Sequence, residues 1–233
     1  MKHLLTIVIA ALALNLSAQE VAPEDLINQA NSAVQLKDFK GAYDLYTQVF
    51  SLYESKGRAN EIKPEIVYNA GYCAQKAGMN DEAIPHLLKA IEAGVYDAKP
   101  YQYLANAYKA KKDSENYEKA LEDGLAKYPD DAALKKMMAN EYVLKGNKFY
   151  KEGNNIKKAA NESGLNASDT VAFRAEYAKA DAEFEKALPL IEKAYQYDNK
   201  NKNALKILVN LYTALDRQED ADRIKAELDA LQK

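Results

Sequence analysis

Residues 64–97 read Pro-Glu-Ile-Val-Tyr-Asn-Ala-Gly-Tyr-Cys-Ala-Gln-Lys-Ala-Gly-Met-Asn-Asp-Glu-Ala-Ile-Pro-His-Leu-Leu-Lys-Ala-Ile-Glu-Ala-Gly-Val-Tyr-Asp, and this stretch decides the fold. Counted from Pro64, small residues fall at positions 8 (Gly71), 11 (Ala74), 20 (Ala83) and 27 (Ala90). Apolar residues fall at 4 (Val67), 7 (Ala70), 24 (Leu87) and 28 (Ile91), and Gly78 sits at 15, where a turn is needed. The spacing predicts one helix–turn–helix unit, with small side chains where two helix backbones approach closely. A single such hairpin cannot bury its own apolar face, so it requires neighbours built the same way.

The runs Tyr68-Asn69-Ala70-Gly71, Asp81-Glu82-Ala83-Ile84 and Lys89-Ala90-Ile91-Glu92 resemble the tetratricopeptide repeat, a 34-residue helical hairpin. Working outward, the same pattern recurs. From Pro23, a first unit places Leu26, Ala30, Ala33, Ala42, Tyr46 and Val49 inward and breaks at Lys56-Gly57-Arg58. From Ala98, a third places Tyr101, Leu104, Ala105, Tyr108, Leu121 and Gly124 inward, with Pro129 closing it. Tyr117 stands at position 20 of that unit, where alanine is expected, and Gly124 is read as the space that admits it.

The fourth unit is interrupted. Two registers fit its first helix, one starting at Ala132 and one at Ala139, seven residues apart and burying the same face. A helix over about 132–152 is expected, then a polar loop over 153–170, then a helix from about Thr170 to Tyr197 capped by Ser168 or Asp169 and bent at Pro189. A fifth unit from Lys202 places Leu205, Leu208, Val209, Tyr212, Ala221, Ile224, Leu228 and Leu231 inward. The resemblance implies an all-α, right-handed superhelical array of five hairpins (about 23–56, 64–97, 98–131, 132–199 with its insertion, and 202–233).

Residues 1–18 read as a secretory signal peptide cut after Ala18: a basic start, an apolar run from Leu4 to Leu14, and a small residue at the end. Export to the periplasm of a Gram-negative bacterium is the expectation, with no membrane span after cleavage. Cys73 is the only cysteine, so no intrachain disulfide can form. The chain has 32 Lys+Arg against 35 Asp+Glu, a formal charge of −3, and nucleic acid is not expected as a partner.

Catalysis finds little to work with. Beyond the signal peptide His86 and Cys73 are the lone residues of their kinds, too few for a zinc site of the usual kind. No enzyme activity and no cofactor are expected. The resemblance instead implies a groove for extended peptides, lined by first-helix positions 2, 5, 9, 12 and 13. Here those positions carry Asn31, Tyr68, Tyr72, Gln75, Lys76, Lys99, Gln102, Asn106, Lys109, Asn140, Asn147, Tyr150, Lys206 and Asn210. Some relatives clamp a carboxylate with five residues; Asn31, Asn69 and Lys99 match three of those places, while Ile27 and Tyr103 replace basic residues at the others. A non-enzymatic protein- or peptide-binding scaffold in the envelope is the leading reading. The alternatives are a structural component held through its convex face or edges, and a small-molecule or glycan binder using the tyrosines beside Lys76. Asn161-Glu162-Ser163 and Asn166-Ala167-Ser168 fit the N-glycosylation pattern, and Asp169-Thr170-Val171 resembles the O-glycosylation acceptor of Bacteroidetes.

Overall fold

The computed structural model describes residues 21–163 and 171–231. The expected signal peptide, the expected cap at Ser168 or Asp169, the second glycosylation motif and the first two residues of the third lie outside these residues. Among the described residues ten α-helices pair into five antiparallel hairpins: α1 (Pro23–Gln35) with α2 (Phe39–Ser55), α3 (Pro64–Lys76) with α4 (Asn80–Ala93), α5 (Lys99–Ala110) with α6 (Ser114–Lys127), α7 (Ala132–Glu162) with α8 (Val171–Tyr197), and α9 (Lys202–Ala214) with α10 (Gln218–Ala230). Each first helix packs against its own second helix, and each second helix from α2 to α8 packs in turn against the first helix of the next hairpin, so the fold is an all-α repeat array.

Local chemistry sets the helix ends. Proline occupies the first turn of α1, α3 and α5, where a missing N–H costs no helical bond. Asp38, Asp113, Asp131 and Asn201 cap α2, α6, α7 and α9 by accepting backbone N–H groups of the first turn. The tight turn inside a hairpin needs a left-handed residue at position 15, supplied by Gly78 (φ +79°) but also by Lys37, Lys112 and Asp216 (φ 62°, 60° and 56°). A side chain in that region is strained by roughly 1 kcal/mol. Lys112→Gly is therefore expected to raise stability by about 0.5–1 kcal/mol, read as a higher urea midpoint at unchanged slope.

The small residues lie where the spacing puts them. Ala30, Ala42, Ala83, Ala105 and Ala187 are fully enclosed and Ala221 nearly so. Tyr117 is buried at its position 20, but the space left by Gly124 serves other neighbours: a Cβ there would sit 2.8 Å from Leu134 Cδ1 and 3.0 Å from Tyr101 Cβ. Of the tyrosines expected inward, Tyr46, Tyr101 and Tyr212 are buried, whereas Tyr108 and Tyr142 are half-buried. α8 runs through Pro189 to Tyr197.

The fourth hairpin departs most from expectation. The polar loop expected from residue 153 is instead helix up to Glu162, so α7 has 31 residues, about 46 Å. A seven-residue recurrence of small side chains, Ala139, Gly146, Gly153 and Ala160, continues past the Gly-Asn-Asn stretch and keeps α8 close. At Gly153 the approach is tight: a Cβ would meet Phe184 Cε1 at 2.4 Å. Asn154 and Asn155 face solvent, and Asn161 sits inside α7, where its side chain accepts a hydrogen bond from the Tyr177 hydroxyl (2.9 Å).

Both registers of α7 are in use. Hairpin 3 meets the frame that starts at Ala132: the Tyr117 hydroxyl reaches the Met137 carbonyl (3.5 Å), and Glu118 pairs with Lys145 (2.5 Å). α9 meets the frame that starts at Ala139. Asn210, position 9 of its unit, donates to the hydroxyl of Tyr150, position 12 in that frame (2.9 Å). The same three-residue offset separates Tyr103 and Tyr72, which touch across α5 and α3.

Candidate functional site

The first helices of hairpins 2 and 3 gather an aromatic patch. Tyr68, Tyr72 and Lys76 are spaced four apart and share one side of α3. Tyr103 of α5 meets Tyr72 edge-on, with centroids 4.9 Å apart at 68°. Tyr68 lies 6.3 Å from both rings and 4.4 Å from Tyr96. Tyr96 is placed by the turn after α4, in which Gly94, Tyr96 and Asp97 all have positive φ. Phe39, at the start of α2, approaches Tyr72 edge-on at 5.8 Å. Lys76 Nζ stands 6.0 Å from the Tyr72 centroid and 5.7 Å from that of Tyr103, a cation over two rings.

The patch is graded from inside to outside. Tyr68 is 7% exposed, Tyr72 and Tyr103 are half-buried, and Tyr96 is 42% exposed. Burial pushes the Tyr68, Tyr72 and Tyr103 hydroxyls up, and at Tyr68 the neighbouring hydroxyls of Tyr103, Tyr72 and Tyr96 add to it. These phenols therefore stay protonated and act as hydrogen-bond donors throughout the physiological range.

The structure divides the residues expected in the groove. Tyr68 is a correction: it packs into the core shared by hairpins 2 and 3, because Tyr96 and Tyr103 fold over it. Several amides are engaged within a hairpin or between neighbouring ones. Asn31 accepts from the buried Tyr46 hydroxyl (2.8 Å), and Asn69 lies against the same group, whose pKa burial pushes up to about 12. Gln102 donates to Asp131 (2.9 Å), Asn140 accepts from Asn201 (2.9 Å), and Asn210 donates to Tyr150. Tyr150 also packs its ring against Phe184 at 6.0 Å. Gln75, Lys76, Lys99, Asn106, Asn147 and Lys206 have no side-chain hydrogen bond or ion pair among the described residues, and Lys109 lies over the Tyr117 ring at 5.4 Å. Tyr72 and Lys76 come together against Tyr103, with Gln75 next to Lys76 on α3 and Asn106 three residues beyond Tyr103 on α5. Tyr103 and Tyr96 were not in the expected set. The spacing of Tyr103 to Tyr72 across one repeat carried the signal for the first, while Tyr96 depends on a turn geometry that has no periodic trace.

Neither Cys73 nor His86 is placed for chemistry. Cys73 is fully buried and its thiol is pushed up to about 12 by burial, so the thiolate needed for attack is absent near neutral pH. Among the described residues no cluster of His, Cys, Asp and Glu could hold a metal ion. His86 stacks on Phe50 (5.3 Å) and meets Tyr43 at 6.1 Å, joining hairpins 1 and 2. Burial, then nearby Lys89, hold its pKa below the ordinary histidine value. The unfolded chain therefore takes up a proton below about pH 6.5 that the folded chain refuses, and stability falls as pH drops through that window. The urea midpoint of the wild type is expected to decline from about pH 7.5 to about pH 5 more steeply than that of His86→Gln.

The architecture defines a helical-repeat protein. Solved structures place it further: a tetratricopeptide-repeat protein from Bacteroides fragilis is similar over 88% of this chain and 98% of its own, at 22% identity and a TM-score of 0.52. The MamA protein is similar over 90% and 91%, at 16% identity and a TM-score of 0.51. The fold is the tetratricopeptide-repeat fold. No family model and no curated protein matches the sequence.

Proposed function

We propose that this chain is a non-enzymatic, exported scaffold that binds a protein or extended peptide on its first-helix face, anchored at the Tyr72–Tyr103–Lys76 patch. The observation that carries this reading is the gathering of aromatic rings from three hairpins on a face otherwise lined by polar side chains, with Tyr72, Tyr103 and Tyr96 left partly open. Tyrosine offers large contact area at low entropic cost, and the unpaired amides of Gln75 and Asn106 can both donate to and accept from a peptide backbone. Export rests on the reading of residues 1–18, and among the described residues no helix is long and apolar enough to cross a membrane. N-terminal sequencing of protein recovered from a periplasmic extract is expected to begin at Gln19.

The test is affinity capture from envelope extract with wild type and with the double variant Tyr72→Ala, Tyr103→Ala. Both side chains are half-buried, so the variant is expected to retain its helical circular-dichroism signal. Loss of the captured partner by roughly tenfold or more supports the patch as the anchor. Undiminished capture by a folded variant moves the docking surface elsewhere.

A further inference from the structure

The formal charge of −3 hides an uneven distribution between the two layers of helices. Every second helix carries an excess of carboxylates, from one in α2 and α8 to three in α10. The first helices turn basic along the array. α5 holds Lys99 and Lys109 and α9 holds Lys202 and Lys206, neither with a carboxylate, and α7 holds seven lysines against three glutamates.

Where α7 and α9 begin, this basic layer opens into a pocket of about 600 Å³ edged by Lys135, Lys136, Lys200 and Lys202, with Tyr197 in its wall. Lys135 pairs with Asp130 at 3.0 Å, whereas Lys136, Lys200 and Lys202 have no carboxylate partner among the described residues. Asp198 also borders the pocket, and its Oδ1 is engaged by the backbone N–H of Lys200 (3.1 Å). The side-chain amide of Asn203 adds a donor at the rim, and the NH₂ of Asn140, whose oxygen is taken by Asn201, adds another. The lining is thus rich in donors and cations around a space the size of a few side chains.

We propose that this pocket takes the carboxylate side chains of an acidic, extended segment of the partner, a proposal that rests on the first-helix face being the docking side. Three unpaired ammonium groups around one opening favour a ligand with several closely spaced negative charges, and their field speeds its encounter. A polypeptide fits better than a nucleic acid. The chain carries a formal charge of −3 and its second helices are net acidic, so a long polyanion meets more repulsion than a short acidic segment does.

The probe is a fluorescein-labelled Asp/Glu octapeptide with blocked termini, followed by anisotropy with the purified protein. Its Asn/Gln counterpart and a single-stranded oligothymidylate serve as the comparison arms. The acidic peptide is expected to bind roughly tenfold tighter than the neutral one and to weaken as salt rises from about 50 to about 300 mM. Lys136→Ala with Lys200→Ala and Lys202→Ala, all exposed positions, is expected to remove roughly tenfold of that affinity. Equal affinity for the neutral peptide, indifference to the triple substitution, or tighter oligothymidylate binding through the same lysines would each overturn the proposal. Acidic-peptide binding that survives Tyr72→Ala with Tyr103→Ala supports the pocket independently, so a failure of the tyrosine anchor is read apart from a failure here.

Discussion

Gly71→Leu is expected to unfold the second hairpin and lower the melting temperature of the chain by about 6–12 °C, corresponding to about 3 kcal/mol or more. Gly71 lies where α3 crosses α4. A Cβ there would stand 3.0 Å from both His86 Cβ and Leu87 Cγ, and 3.1 Å from the backbone nitrogen of Leu87. A side-chain tip could rotate away, but the Leu87 backbone cannot. Any branched side chain therefore drives the two helices apart and strips Leu87, which is fully buried, of its packing. Each hairpin of an array leans only on its neighbours, so the damage is expected to be greatest around hairpin 2, with new proteolytic cleavage between residues 64 and 93. Gly71→Ala, which adds the Cβ alone, is expected to cost less. A melting temperature within about 1 °C of wild type for Gly71→Leu would remove the close approach on which the repeat depends.

Phe184→Ala carries the second large effect, about 3–5 kcal/mol. The ring is 1% exposed and closes the seam between α7 and α8 at the point where the fourth hairpin outgrows the others. Gly153 gives it room, Tyr150 packs beside it, and Lys157 Nζ stands 4.9 Å from its centroid. Among the described residues the distal part of this hairpin pairs within itself, Lys157 with Asp181 (3.1 Å) and Tyr177 with Asn161 (2.9 Å), so a neighbouring hairpin does not fill the cavity. Hydrogen exchange is expected to accelerate over 153–162 and 171–183 while α3 to α6 keep their protection. Unchanged exchange in those two segments would mean that the seam is not held by this ring.

These two positions also show what the sequence makes legible and what it does not. Alanine and glycine at fixed intervals announce the hairpins because only small side chains allow two backbones to meet, and Ala83, Ala187 and Ala221 are enclosed as that reasoning requires. Residues 153–162 misled because glycine and asparagine weigh toward a loop on propensity alone. The seven-residue recurrence through Gly153 and Ala160 supplies packing that outweighs a cost of roughly 1 kcal/mol per glycine. The site was legible in position but not in partnership. Register places Asn31, Gln102, Asn140 and Asn210 on first helices, yet whether an amide faces solvent or a neighbour's hydroxyl depends on how hairpins stack, which no single-helix pattern records. Tyr68 is the sharpest case: its place in the repeat suggests exposure, and the turn at Tyr96 covers it. The basic first layer was hidden for a related reason, since lysines and carboxylates alternate along the chain and separate only once helices pair.

Site-specific crosslinking tests the docking face most directly. A photoreactive phenylalanine analogue at Asn106, on the first-helix face of hairpin 3, is expected to crosslink the captured partner, and the same analogue at Glu122, an exposed residue of α6, is not. Crosslinks from Glu122 with none from Asn106 would place the partner on the second-helix side and contradict the account.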